Sequence, residues 1–383
     1  MNNLEKWVWL SEALYKGSRK ANELFSCFGD IEKIYAADRS ALKGSGISFG
    51  EKELERLLDK NLGAVSKILS DCEKNGIRVI LRTSREFPKR LLEIADCPVL
   101  LYAKGASLSI DEDPVISVVG TRKASVHGIS AAKKIASEIA ASGGVLCSGL
   151  ARGIDTVAME SALSAGGKVI GVLGNGLDIV YPAENRDLMK QIEISGTLLS
   201  EYPPKTRPDR INFPKRNRIV SAISLGVCVI EAPEKSGALI TAQIALDQNR
   251  DVFAVPSGIF EATGRGSNNL IRMGAIPITC GQDILSEYAH LFGDRISLSE
   301  PVSVAPAAVI PEKKEFSLPE ALLSSLSSDE RAILTALSSD ELRADEISSR
   351  CDMPIPKVLS LLTMLEIRKT VKQLPGCRFK VNF

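Results

Sequence analysis

Short glycine- and serine-containing segments that carry a cation and follow an apolar run are this sequence's most chemically loaded feature. The first is Gly120-Thr121-Arg122-Lys123-Ala124-Ser125, after the run 115–119. Gly120 permits a tight turn, and Arg122 holds out a planar fork of donors of the kind that grips phosphate. The second, Ser148-Gly149-Leu150-Ala151-Arg152-Gly153-Ile154-Asp155, follows the run 145–147 and offers small residues at a helix start, where backbone amides make a ready anion site. Either loop alone reads as an ordinary strand-to-helix turn, with Arg152 and Asp155 paired to each other. Two in succession favour an anion site. Glu231-Ala232-Pro233-Glu234-Lys235-Ser236-Gly237-Ala238-Leu239-Ile240-Thr241 repeats the pattern, with Lys235 beside Ser236, Gly237 and Thr241. Gly264-Arg265-Gly266-Ser267 is a further small-residue loop with a cation.

A different chemistry belongs to 201–218, where Lys205, Arg207, Arg210, Lys215, Arg216 and Arg218 outnumber Glu201 and Asp209. Four prolines, at 203, 204, 208 and 214, predict an extended backbone. Cations on such a backbone, with Phe213 among them, suit a single-stranded phosphate chain whose bases are free to stack. Cys147 reads as a buried strand residue.

Other chemistries lack their residues. Gly174-Asn175-Gly176 opens a dinucleotide-like turn, but Ile179 stands where the third glycine belongs, so no nicotinamide or flavin site is expected and Asp178 reads as a turn residue. No phosphate-binding G-x-x-x-x-G-K-[ST] motif occurs, and no Ser-His-Asp set can be assembled around His127. The 8 Cys contain no C-x-x-C pair and the 2 His lie far apart, which argues against zinc. Neither a catalytic residue, a metal nor a cofactor is expected.

The elements that position these loops follow from periodicity. Runs at 77–81, 99–102, 115–119, 145–147, 169–173, 197–199, 227–230 and 252–255 are mostly apolar without alternation, as in parallel strands covered on both faces. Helical patterns at 129–141, 156–165, 185–193 and 238–248 alternate with them. The expectation is an α/β fold with a doubly wound, mostly parallel, Rossmann-like sheet binding its ligand at the carboxyl ends of the strands. Residues 1–75 read as helices. Leu42-Lys43-Gly44-Ser45-Gly46-Ile47 among them is either a helix-hairpin-helix turn or, more simply, a Gly-rich bundle turn. The sheet domain is placed at 76–292, a Pro-, Ala- and Ser-rich linker at 293–319, and a C-terminal domain at 320–383. There, helices 329–337, 344–351 and 356–367 precede a hairpin, 370–374 with 378–381, which is a winged-helix order.

With 383 residues, 44% hydrophobic and 25% charged, the composition is that of a folded chain of two to three domains and excludes wholesale disorder. Lys and Arg total 48 against 47 Asp and Glu, so any nucleic-acid site must be a local patch. No signal peptide or bilayer-spanning run is read, and a soluble cytoplasmic protein is expected.

Taken together, GTRKAS at 120–125, SGLARGID at 148–155, GNGLDIVYPAEN at 174–185, FPKRNRIVS at 213–221 and EAPEKSGALITA at 231–242 make the chain closely resemble the DNA-processing DprA/Smf family, essentially end to end. The resemblance implies a helical N-terminal domain of sterile-alpha-motif or helix-hairpin-helix type, an extended Rossmann-like domain and a winged helix. It further implies a non-enzymatic homodimer that binds single-stranded DNA and loads RecA during natural transformation. Carried over by motif, the phosphate pocket is Gly120, Arg122, Ser148, Gly149, Gly237 and Thr241, flanked by Lys205, Lys215, Arg216, Arg218, Lys235 and Arg265, with Phe213 stacking a base. The sequence departs from the family at Pro256-Ser257-Gly258, where glycine commonly follows proline directly. The helix at 356–367 carries only Lys357 against Glu366, less basic than a groove-reading helix requires, whereas Lys369, Lys372, Arg378 and Lys380 could line a wing. The competing class is a nucleotide-processing enzyme like the lysine-decarboxylase-like phosphoribohydrolases, whose P-G-G-x-G-T-x-x-E signature is absent here.

Overall fold

Apolar runs without alternation need cover on both faces, and the computed structural model supplies it. It describes residues 3–298 apart from 108, then 326–337, 342–368, 370–374 and 378–381. The chain forms two compact units that divide at residue 299. The linker expected at 293–319 lies, from 299 on, outside the described residues, as does Lys369.

The first unit begins with helices α1 (Asn3–Ala13), α2 (Lys20–Phe28), α3 (Ile31–Ala36), α4 (Arg39–Gly44), α5 (Glu51–Leu58) and α6 (Gly63–Lys74). The Asp30 and Asp38 carboxylates cap α3 and α4 by accepting from Lys33 and Ala41 N–H. There follow β1 (Arg78–Leu81), α7 (Lys89–Leu92), β2 (Leu100–Gly105), β3 (Val115–Val119), α8 (Val126–Ala141), β4 (Val145–Ser148), α9 (Ile154–Ser164), β5 (Val169–Leu173), α10 (Arg186–Ser195) and β6 (Thr197–Ser200). Then come α11 (Asn212–Ala222), β7 (Gly226–Val229), α12 (Gly237–Asp247), β8 (Asp251–Ala254), α13 (Arg265–Arg272), β9 (Ile276–Pro277), α14 (Gly281–Ser286) and α15 (Ala289–Phe292).

Nine strands form one sheet in the order β1-β2-β6-β5-β4-β3-β7-β8-β9. Strands β3 to β9 pair in parallel, while β2 pairs antiparallel with both β1 and β6. Strand β3 is central: the chain steps to one side through β4, β5 and β6, then returns to the other side at β7. Loops leaving β3 and β7 therefore diverge at a switch point, where open α/β sheets place their ligands. One face of the sheet is covered by α8, α9, α10 and α14 (Ile135, Ala158, Ile192, Ile284) in a core continuous with Trp7, Leu10 and Leu57 of the N-terminal helices. The other face is covered by α7, α11, α12 and α13 through Leu91, Ile219, Ala242 and Leu270. This is the doubly wound sheet expected from the uniform runs.

One expectation is corrected. Residues 212–222 form a helix, not extended chain. Pro214 is third in it, within the first turn, where a missing N–H costs no helical hydrogen bond.

The second unit, described by itself, contains α16 (Ser328–Leu337), β10 (Leu342–Arg343), α17 (Ala344–Cys351), α18 (Ile355–Ile367), β11 (Val371–Leu374) and β12 (Arg378–Val381). Its strands run β10-β12-β11. Ile333, Leu337, Ile347, Val358, Leu365 and Phe379 close its core. It is a winged helix, as the pattern predicts.

Candidate functional site

Three loops end at the switch point and pin one another there. Thr121 N–H donates to the Glu231 carbonyl at 2.7 Å and Ile154 N–H to the Thr121 carbonyl at 3.2 Å. Beneath them the Glu231 carboxylate accepts from Ser125 N–H at 2.9 Å, at the first turn of α8. A Cβ on Gly128 would come within 2.1 Å of its Oε2, so that glycine is required by the carboxylate. The start of α8 is thus already neutralised by the protein's own anion, and Glu231 is committed to structure.

The loop after β4 is held in a costly shape. Leu150 takes a left-handed conformation, φ 55°, which a leucine adopts only under constraint. The Asn185 amide donates to its carbonyl at 3.0 Å, and Thr156 Oγ donates to the Ala151 carbonyl at 2.8 Å. Asn185, which the motif analysis passed over, is therefore a positioning residue. Gly149 is fixed by its neighbour: a Cβ there would lie 2.6 Å from the Arg216 guanidinium.

The loops surround a cleft of about 610 Å³ lined by residues that include Gly120, Arg122, Gly149, Phe213, Arg216, Lys235, Gly237 and Thr241. Three sequence-distant segments that motif reading assigned to one pocket do share one cavity. Phe213 stacks on Tyr181 with ring centroids 5.4 Å apart and 27° between planes, and the Arg122 guanidinium lies 5.9 Å from the Phe213 centroid. A cation–aromatic–aromatic platform results, with the guanidinium exposed. In the same cleft, Ser236 caps α12 and the start of that helix lines the cavity from Ser236 to Thr241, presenting the positive end of the helix dipole. Around Gly237 nothing lies within 4 Å of where a Cβ would stand, so the protein itself does not require glycine there.

Arg216 is in the cleft wall but is not a free cation, which corrects its assignment as an open flanking charge. It is 4% exposed, and its Nη1 donates to the carbonyls of Gly149, at 2.6 Å, and Val172. Burial pushes its pKa down to about 10, opposed chiefly by the neighbouring Asp155 carboxylate. Asp155 is itself buried, accepts from Ala151 N–H, and is raised above the ordinary carboxylate value by desolvation, with Arg216 pulling it back down. Both side chains line the cleft and influence each other through their charges, without a direct hydrogen bond between them.

Five other residues of the expected set lie outside the lining. Ser148 is fully buried and donates to the Val118 carbonyl at 2.7 Å, so its hydroxyl is spent within the sheet. Arg218, also 4% exposed, donates to Glu201 at 2.6 Å and faces Asp96 at 3.3 Å. Lys205 pairs with Asp71 at 2.6 Å, its left-handed backbone (φ 67°) held by Asp178, the turn residue that sequence reading expected. Arg265 opens α13, exposed, beside the loop that follows β7. Lys215 is exposed on α11 away from the cleft lining. Arg152 pairs at 2.6 Å with Glu184 rather than with Asp155. Sequence reading missed Tyr181, Asn217 and Thr121 as cleft residues; the Tyr-Pro of 181–182 is a signal only once the neighbouring strand order is known. In the winged helix, Lys357 on α18 pairs with Asp329 at 2.6 Å, and the helix exposes Ile355, Leu359, Met364 and Ile367 instead.

Comparison with known proteins gives a consistent answer. The family model of DNA recombination-mediator protein A matches residues 78–289, and that of the DprA winged helix domain matches 317–377. Protein Smf of Synechocystis sp. is 34% identical over 402 aligned positions, covering 99% of this chain and 100% of its own. Among solved structures, DNA processing protein A of Streptococcus pneumoniae superposes with TM-score 0.66 at 32% identity, over 75% of this chain and 98% of that one. DNA processing protein A of Helicobacter pylori, solved for its single-stranded DNA binding mode, gives TM-score 0.51 at 29% identity, over 57% and 97%.

Proposed function

The chain belongs to the DNA recombination-mediator protein A (DprA/Smf) family, and from that premise we propose that it binds single-stranded DNA at the switch-point cleft and passes it to RecA. The carrying observation is that an exposed guanidinium, a two-ring platform and the open first turn of α12 face one cavity. The guanidinium and the helix end suit phosphate, and the rings suit a base that is not paired. Phosphate contacts without base-edge readers give little sequence preference. In this reading the protein works as a cytoplasmic homodimer on incoming DNA during natural transformation and breaks no covalent bond. Its parts are a helical domain at 1–75, the DNA-binding sheet domain at 76–292 and a winged helix at 320–383. No helix among the described residues is long and apolar enough to cross a membrane.

Fluorescence anisotropy with single-stranded and duplex oligonucleotides across a salt titration tests the proposal. The expected result is tighter binding of single strands, weakening steeply with salt. Equal or absent binding of both forms overturns it. The phosphoribohydrolase reading would want a free carboxylate in the loop after β7, but Glu231 is bound to the start of α8. Incubation with nucleoside monophosphates is accordingly expected to release no free base.

Gly237 supplies a second test. Gly237→Val fills space that no protein atom occupies, so the thermal transition should hold or rise slightly as helix propensity improves. The added methyls stand where a phosphate would approach the helix end, and affinity for a single strand should fall about tenfold, about 1.4 kcal/mol. Unchanged affinity would take that helix end out of the site.

A further inference from the structure

The winged-helix sheet breaks a rule of strand pairing in a way that folding does not repay. In β12 and β11, Lys380 stands directly opposite Lys372, and in β10 and β12, Arg343 stands directly opposite Arg378. Side chains of cross-strand partners share a face, as do those of residues two apart on a strand. Arg343, Arg378, Lys380 and Lys372 therefore occupy one face, and all four are exposed. The opposite face carries Leu342, Phe379 and Val371 into the core. Like charges directly opposite one another destabilise a sheet, and this sheet holds two such pairs side by side.

No ion pair relieves them among the described residues. Glu346, the carboxylate that follows β10, accepts from the Arg343 backbone N–H at 2.7 Å, and Glu366 accepts from Gln373 N–H. Local rules are broken without compensation mainly where a surface serves a ligand. The lattice has a definite size: about 5 Å across strands and about 7 Å along them. It presents four cations to a flat, repeating polyanion.

We propose that this sheet face binds the phosphodiester backbone of DNA, so that the winged helix engages nucleic acid through its wing and not through α18. The exposed apolar face of α18 and the pairing of Lys357 with Asp329 leave that helix unsuited to a phosphate-lined groove. Phosphate contacts alone carry no sequence information, so binding here is independent of sequence. The proposal does not depend on the cleft in the other unit.

The test is anisotropy on the full chain, comparing wild type with a variant carrying Arg343→Gln, Lys372→Gln, Arg378→Gln and Lys380→Gln, and with Arg122→Ala. Fluorescent single-stranded and duplex oligonucleotides and fluorescent poly-glutamate are the probes. Each neutralised phosphate contributes about 0.9 to the log–log salt slope on duplex and about 0.7 on a single strand. The four-fold variant should lose at least tenfold in affinity at low salt for one or both DNA forms. Its slope should fall by up to about 3.6 on duplex, and whichever form loses identifies the bound strand state. Its thermal transition should hold or rise as the repulsion is relieved. Lys380→Gln alone should take about a quarter of the slope change, and it stands in should the four-fold variant fold poorly. Affinity and slope unchanged for both DNA forms overturn the proposal, whatever Arg122→Ala does. So does poly-glutamate that binds as tightly as DNA and is lost equally, since that would assign the face to an acidic protein.

Discussion

Arg122→Ala is expected to weaken single-stranded DNA binding roughly 30-fold, about 2 kcal/mol, and to flatten the log–log salt slope by about 0.7. Arg122, Arg152 and Arg265 of the motif loops are all exposed, and of them Arg122 is the one set against an aromatic ring, 5.9 Å from the Phe213 centroid, with no ion pair among the described residues. Contacts between a charged donor and phosphate run about 1.5–3 kcal/mol, and here the guanidinium stands beside the aromatic platform. Arg152 is the internal control, because its fork is already engaged by Glu184; Arg152→Ala should change affinity less than threefold. Oligonucleotide anisotropy at several salt concentrations separates the two. An Arg122→Ala protein with wild-type affinity and slope would remove this cleft from DNA binding. A loss of affinity with an unchanged slope would mean that stacking, not charge, is what Arg122 supports.

The sheet was legible because its strands state their burial directly. Val115–Val119 has no polar residue except Ser117, and Ser117 finds the Val220 carbonyl at 2.9 Å inside the core. The loops were legible for the same reason, since a glycine at a buried strand's end next to a cation has few structural uses. What did not read through is which way a charge points. Between 205 and 218 six cations were counted as one surface. The helical repeat of α11 turns Arg216 inward beside Ile219 and Val220, while Arg218 is taken by Glu201 and Asp96 and Lys205 by Asp71. Two of the six are thereby buried, and a third, exposed Lys205, is already ion-paired. Of the four prolines that suggested extended chain, three lie in the non-helical segment before α11, and Pro214 alone lies in the helix, in its first turn. The antiparallel attachment of β2 also lay beyond sequence reading, because two short apolar runs pair equally well in either direction. So did Tyr181, which reaches Phe213 only through the parallel order of β5 and its neighbours.

The wing shows a converse limit. Lys372, Arg378 and Lys380 were visible as cations, but their meaning depends on register. A one-residue slip would place them on the core face, and only the pairing shows that like charges oppose each other there.

Arg216→Met is expected to cost the first unit about 3–5 kcal/mol of stability, the largest effect of any single change considered, because it leaves two buried carbonyls without their donor and a buried carboxylate without its nearest opposing charge. The methionine keeps the volume but leaves the Gly149 and Val172 carbonyls without their donor and Asp155 without its cation. Desolvation already holds the Asp155 pKa above its ordinary value, and losing Arg216 removes the opposing pull. In the variant the folded state therefore binds a proton more tightly than the unfolded chain does. This contribution to stability should be fully present at and below the ordinary carboxylate pKa and be lost as pH rises toward the elevated folded-state value, because the unfolded chain ionises there while the folded state would have to leave a bare charge in a buried site. Combining Arg216→Met with Asp155→Asn removes the stranded charge, so the double variant should recover part of the loss and show no such pH slope. Denaturant melts at several pH values read both. If Arg216→Met unfolds at the wild-type denaturant concentration, the guanidinium is not holding the strand ends and must instead be available to ligand. If it is destabilised but the double variant is no better, the unpaired carbonyls and not the carboxylate set the cost. In this arrangement a cation drawn by motif as a DNA contact contributes first by tying together the ends of β4 and β5 beside a buried carboxylate beneath the cleft. Its loss would abolish DNA binding by dismantling the site rather than by removing a contact.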